Sequence, residues 1–322
     1  MPIPTLLAIA GPTGAGKSTL ALALAEKFAG EILNFDSVQV YAGFNIGSAK
    51  VPISLQRGIP HHIVDICAPA DLFTAGDFAT EVRALLPQIT ARGHLPILCG
   101  GTGFYLRALL QGLSPGPSRS DELRDRLNAK EQRRPGTIRR LLHRLDPEAA
   151  GRIHPNDANK SIRALELRIL AGRTGREHFT DAGLEPLTNY KPRILALNPP
   201  RDQLYKRLNA RCDEMWSGGL LEEVQSLLDA GVSPKAKPFE SLGYKQALRF
   251  LLDPDCGEAE ALEEMKVRTR QYAKRQWTWF RSEKDVIWID GFGSDAAAQQ
   301  EAIEIVTAFY KKTSAASEHF HA

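Results

Sequence analysis

Gly11, Pro12, Thr13, Gly14, Ala15, Gly16, Lys17 and Ser18 have the spacing of a loop that grips phosphate. In G-x-x-x-x-G-K-[ST] the glycines let successive backbone N–H groups turn toward one anion. The lysine adds charge, and the hydroxyl can reach a Mg²⁺ ion. A helix that starts where the loop ends presents its partial positive charge to the same anion. Here the loop stands between an apolar run, Leu6–Ala10, and a helical pattern over 18–28, which is the context this chemistry requires. A diphosphate or triphosphate is the expected occupant, with Lys17 and Ser18 as its charged and metal-linked contacts.

The run NFDSVQVY places Asp36, Ser37, Val38, Gln39 and Tyr41 at the end of a second apolar strand. Ligands of a parallel sheet sit beyond the carboxyl ends of its strands, so Asp36 is expected near the phosphate loop. Three roles are open to it: Mg²⁺ ligand, general base, or simply the acceptor that closes a turn. A glycine turn, CGGTGFYLRALL, follows a later strand; Thr102 within it either caps the helix starting near Phe104 or bonds substrate. Farther on, Arg268, Arg270, Lys274, Arg275 and Arg281 interleave with Tyr272, Trp277, Trp279 and Phe280. Cations beside aromatic faces suit nucleic acid, although the same pattern serves a helix whose aromatics pack on a core. His61 and His62, adjacent on a strand, point to opposite faces and are not expected to share a metal.

These residues need a scaffold, and the chain predicts an α/β one. Strand patterns over 5–10, 31–37, 61–66 and 95–99 alternate with helical ones, implying a parallel sheet covered by helices on both faces. After a Pro/Gly/Ser-rich joint (113–122) the pattern is helical only, over 121–134, 137–153 and 157–172. Ser120, Thr137 and Asp157 are expected N-caps, and Gly172 a stop. Strand character returns at 192–200, then helices over 202–216, 220–231 and 258–284, and a strand at 286–290; the residues after Tyr310 are expected to fray. The organisation is thus a core of 1–118 and 194–322 interrupted by an all-helical insertion, 119–193. The net charge of +3 hides an asymmetry: 119–193 holds 17 basic residues against 11 acidic, and the rest 24 against 27. Four scattered cysteines form no C-x-x-C pair, and no apolar stretch is long enough for a membrane span. A cytoplasmic, monomeric protein is expected.

Taken in order from Gly11 to Arg281, these motifs resemble the tRNA dimethylallyltransferases, the IPP transferase family of bacterial type. The carriers are GPTGAGKS, DSVQVYAGFNIGSAK, GIPHHIVDI, GGTGFYLRALLQGL, RIHPNDANKSIRALE, RCDEMWSGGLLEEV, LGYKQ and RTRQYAKRQWTWFR. The resemblance implies a P-loop NTPase-like core and transfer of a dimethylallyl group from dimethylallyl diphosphate, with Mg²⁺, to N6 of the adenosine 3′ of the anticodon in tRNA. The phosphate loop would then hold the leaving diphosphate. Asp36 would be the base, with Arg211 and Thr102 also catalytic. By the same resemblance tRNA would be contacted by Asp36, Ser37, Val38, Gln39, Thr102, Arg124, Asn159, Lys160, Ser161, Ile162, Arg163 and Lys245, with the insertion on the anticodon stem-loop. Two departures stand out. The family run close to DPQR-x-x-R reads Asp157-Ala158-Asn159-Lys160-Ser161-Ile162-Arg163 here, and a lysine does not reproduce a bidentate guanidinium contact. Glu240 stands where some relatives are basic.

Three other functions share parts of this pattern. An adenylate isopentenyltransferase would need neither the basic insertion nor the basic–aromatic helix. A small-molecule kinase leaves DSVQVY and RQWTWFR unexplained. An RNA-binding switch module leaves Asp36 without a chemical role.

Overall fold

The first 111 residues build most of a sheet, and the computed structural model describes residues 3–113, 116–117, 119–171 and 185–318 of the chain. Strand β1 (Thr5–Ala10) leads through the phosphate loop into helix α1 (Lys17–Phe28), then β2 (Gly30–Asn34), β3 (His61–His62), α2 (Ala75–Ala91), β4 (Leu95–Cys99) and α3 (Gly103–Gln111). Helices α4 (Asp121–Arg133), α5 (Thr137–Leu145), α6 (Pro147–Arg152) and α7 (Ala158–Ala171) follow. The chain then returns through β5 (Lys191–Asn198), α8 (Arg201–Met215), α9 (Leu221–Asp229), α10 (Tyr244–Leu252), α11 (Glu258–Ser282), β6 (Val286–Asp290) and α12 (Ala296–Glu318).

The strands lie in the order β3-β2-β4-β1-β5-β6, and every pairing is parallel. This is the expected α/β fold, a parallel sheet flanked by helices. Strand β4 is a continuous apolar run buried along its whole length, as a strand covered on both faces must be, and β2 is equally buried although it carries Glu31 and Asn34. Leu7, Ile9, Leu24, Ile97, Leu195 and Val306 belong to one core that joins the sheet to α1 and α12.

The chain divides into two compact units, Met1–Gln111 with Leu187–Ala322, and Gly112–Pro186. The second is helical and has its own core of Leu127, Ile138, Leu142, Ala150, Ile162 and Leu165. Its edges fall seven residues ahead of the expected 119 and 193, and β5 begins at Lys191, before 194. At the heart of this unit Glu166 is fully buried and accepts hydrogen bonds from Arg124, Arg163 and the Ser120 N–H. Burial pushes its carboxyl up, but these donors outweigh it and hold it at about 2.

Several local expectations are corrected, each for a visible reason. Strand β2 stops at Asn34 instead of running to Ser37, because the Asn34 carboxamide bonds the Asp36 N–H and carbonyl and turns the chain. Strand β3 has two residues, not six, since Ile63 and Asp65 take left-handed φ values of 60° and 55°. The helix expected over 137–153 is two: Asp146 accepts from the Ala149 N–H and Pro147 opens α6. Gly136, not Thr137, is the cap of α5, while Ser120 and Asp157 accept from the Leu123 and Lys160 N–H groups as expected. Helix α12 continues past Tyr310 to Glu318. Gly172 and residues 319–322 lie outside the described residues. No described helix is long and apolar enough to cross a membrane. The four cysteines are buried and free.

Candidate active site

The phosphate loop leaves β1 at Ala10 and turns into α1 through Gly16, whose φ of 88° at the helix N-cap is a conformation L side chains rarely adopt. Lys17 lies behind the loop and donates to the Pro12 carbonyl at 2.9 Å. Burial pulls its ammonium down to about 8, opposed by nearby Cys99 and Asp36 and reinforced by Arg211. Asp36 therefore stands within electrostatic reach of both the loop lysine and Arg211.

The Asp36 turn is pinned on all sides. One carboxylate oxygen, Oδ1, accepts from the Val38 N–H at 2.9 Å and from Gln39 N–H at 3.4 Å, so the turn-closing role is real. It does not exhaust the carboxylate, whose second oxygen remains free to take a proton. Thr102 Oγ1 accepts from the Ser37 N–H at 3.1 Å and lies 3.4 Å from the Ser37 hydroxyl. Its backbone carbonyl receives the first N–H groups of α3. Thr102 thus serves the start of α3 with its backbone carbonyl, and its side chain holds the Asp36 turn.

Two cavities meet here. The first, about 520 Å³, is lined by Lys17, Ser18, Cys99, Arg207 and the segment around Val51–Arg57. The second, about 350 Å³, is lined by Leu208, Met215, Leu242, Met265 and Tyr272. Thr13, Asp36, Ser48 and Arg211 line both. Arg211 is reached from α8, where burial and neighbouring Arg207 work against its charge while Asp36 supports it.

No group of three or more His, Cys, Asp or Glu is placed to hold a metal among the described residues. His62 is bound to Glu31 and His61 to the Ile59 carbonyl. The donor set at the loop still fits Mg²⁺, which takes one or two protein oxygens and fills its shell with phosphate oxygens and water. Ser18, beside Cys99 in the first cavity, offers its hydroxyl for it.

The residues expected at this sheet edge are brought together: Thr13, Lys17, Ser18, Asp36, Ser37, Val38, Gln39 and Arg211 line one or both cavities. Those in the helical unit are a mixed set. Asn159 and Lys160 are exposed, but Ser161 and Ile162 are buried in that unit's core. Arg124 and Arg163 hold Glu166. Lys245 is exposed on α10. Missed altogether were Arg207, Cys99 and Gln276, while Tyr272 was singled out only as part of the basic–aromatic run. Arg207 had a findable signal, since it lies four residues before Arg211 on one helix face.

A family model described as IPP transferase matches residues 39–283. The chain belongs to this family. It is 50% identical to a tRNA dimethylallyltransferase of Solibacter usitatus over 94% of this chain and 98% of that one. A namesake in Koribacter versatilis is 47% identical over the same shares. Among solved structures, a tRNA isopentenylpyrophosphate transferase of Bacillus halodurans covers 99% of both chains at 34% identity and a TM-score of 0.71. A eukaryotic dimethylallyltransferase acting on tRNA gives a TM-score of 0.77 at 30% identity, covering 96% of this chain and 80% of that one.

Proposed function

We propose that the protein transfers the dimethylallyl group of dimethylallyl diphosphate to N6 of the adenosine immediately 3′ of the anticodon in tRNA, releasing diphosphate. The observation that carries this reading is the meeting of a phosphate-loop cavity and a second cavity of mixed polar and apolar lining at a single carboxylate, Asp36. The diphosphate occupies the first cavity. The adenosine, flipped from its stack, enters through the second. The N6–C bond forms as the C–O bond to diphosphate breaks, and the N6 proton passes to Asp36. Lys17, Arg211 and the loop amides, with Arg207 alongside, stabilise the departing charge. When bound at Ser18, Mg²⁺ would add Lewis-acid support to the diphosphate oxygens.

The helical unit is read as the grip on the anticodon stem-loop, supported by its local excess of basic residues. Within it Asn159 and Lys160 present side chains to RNA, while Ser161 and Ile162 set the helix that carries them. Lys245 and the exposed cations of α11 add phosphate contacts in the core unit. The protein works where tRNA is, in the cytoplasm, as a monomer.

Incubation with labelled dimethylallyl diphosphate, Mg²⁺ and either unmodified tRNA or AMP tests the reading. Label in tRNA is the expected result. Label in AMP alone replaces the reading with a free-nucleotide prenyltransferase, and ATP-dependent phosphorylation of a small molecule removes both.

A further inference from the structure

Helix α11 carries the basic–aromatic run, yet one face of it meets the sheet edge. Gln276 on that face is 4% exposed, and both ends of its amide are used. Oε1 accepts from the Thr13 N–H at 2.7 Å, and Nε2 donates to the Gly101 carbonyl at 2.9 Å. One helical turn earlier, Tyr272 lies near the Thr102 and Gln276 side chains and lines the second cavity. Thr102 in turn holds the Ser37 N–H. A continuous path therefore runs from the phosphate loop at Thr13, through Gln276, to Gly101 and Thr102, and ends beside Asp36.

The glycines of GGTG find their reason in the same contact. A Cβ on Gly101 would stand 2.1 Å from Gln276 Nε2, and one on Gly103 2.1 Å from Trp279 Nε1. These positions are bare so that α11 can lie against the turn. A leucine would fill about the same volume but leave the Thr13 N–H and the Gly101 carbonyl without these partners. What only the amide does is join two loops, one holding the leaving group and the other the base.

We propose that Gln276 is a positioning residue for the transfer reaction. It sets the gap between the diphosphate loop and the Asp36 turn, and holds Thr13 where the two cavities meet. The inference rests on the prenyl-transfer reading. In that reaction the nucleophile, the allylic carbon and the departing oxygen must line up, and a misplacement of about 1 Å costs on the order of a hundredfold in rate.

Two variants test it. Gln276→Leu keeps the volume and loses both hydrogen bonds; it should lose roughly a hundredfold in kcat, with its tRNA KM essentially that of wild type. Gln276→Glu keeps the acceptor but cannot donate to Gly101 until its carboxyl is protonated. Its kcat should fall as well, again with a tRNA KM near that of wild type. Wild-type kcat in either variant, or a loss confined to tRNA KM, overturns the proposal. If wild type itself transfers no label, the prenyl-transfer reading fails instead. The positioning claim is then judged on inorganic diphosphate, which Gln276→Leu should bind more weakly than wild type; equal binding overturns it.

Discussion

Two buried charges stand at opposite ends of the same parallel strands, and the fold treats them in opposite ways. Glu31, near the start of β2, is 1% exposed. It accepts two hydrogen bonds from Arg92 and faces ring nitrogens of His62 and His94, all within 2.8 Å. The Arg92 bonds dominate and, with the two histidines, hold its carboxyl at about 2 against burial. Lys17, beyond the end of β1, has one hydrogen bond to Pro12, and burial drags it to about 8. A charge ringed by fixed partners belongs to the fold. A charge buried beside an open cavity is set up for a counter-charge that arrives with a ligand.

The comparison breaks most visibly at Asp36, which belongs to the ligand-awaiting group. In Asp36→Asn the substituted carboxamide oxygen can still accept from the Val38 N–H, so the turn survives while the base is lost. Turnover should fall by about 10²–10⁴-fold, the range for a missing general base, with tRNA affinity nearly unchanged. Single-turnover label transfer beside a filter-binding titration measures both. Unchanged turnover would make Asp36 a turn residue and nothing more.

Glu31→Gln should do the reverse. It leaves Arg92 facing a neutral partner, but Arg92 is about half-exposed and solvent screens the charge left behind. The loss should be on the order of 1 kcal/mol of stability, that of a weakened hydrogen bond, while kcat and both KM values stay near wild type. The pH dependence follows from the depressed carboxyl. Its contribution is fully present above the unfolded value of 4.5 and is lost as pH falls toward about 2. Denaturant melts across that window should show a steep acid limb in wild type and a flatter one in the variant. A variant as stable as wild type at neutral pH removes Glu31 as the structural member of the pair.

The same contrast explains what the sequence could disclose. The phosphate loop is local: eight consecutive residues carry their own geometry, and their placement between β1 and α1 was readable. Asp36 was readable because the carboxyl ends of parallel strands converge. The Glu31 cluster was not, because Arg92, His62 and His94 come from segments 31–63 residues away and carry no shared spacing. Gln276 bonds Thr13 across 263 residues. The two-residue β3 was over-read for another reason. HHIVDI has strand composition, but left-handed Ile63 and Asp65 are imposed by tertiary contacts such as Asn34 to the Ile63 carbonyl. Ser161 and Ile162 were placed on RNA by motif, whereas the α7 stripe packs them inside the helical unit.

Lys17 also predicts a pH dependence in binding. A bound diphosphate favours the ammonium form, so above about pH 8 binding must take up a proton. Donor affinity, corrected for ionisation of the diphosphate itself, should weaken above that pH by up to about tenfold per unit. Isothermal titration in buffers of different ionisation enthalpy counts the proton directly. No uptake above that pH would mean that Lys17 is already fully charged, like a residue with fixed partners.

The smallest effect is the one whose sign matters most. A lysine whose folded pKa lies below its unfolded 10.5 opposes folding in full below about pH 8, and that cost is relieved as pH rises between the two values. Lys17→Met removes the charge, keeps an apolar stem against the buried loop and gives up the bond to Pro12. The lost hydrogen bond is worth about 1 kcal/mol, less than the relieved desolvation, so the ligand-free variant should be more stable by roughly 1 kcal/mol at neutral pH. The gain should vanish when saturating diphosphate is added, because only wild type then binds and is stabilised by its ligand. Thermal melts with and without diphosphate read both parts. A variant that is less stable without ligand would place Lys17 beside Glu31, as a charge the fold itself requires, and would dissolve the distinction between the two.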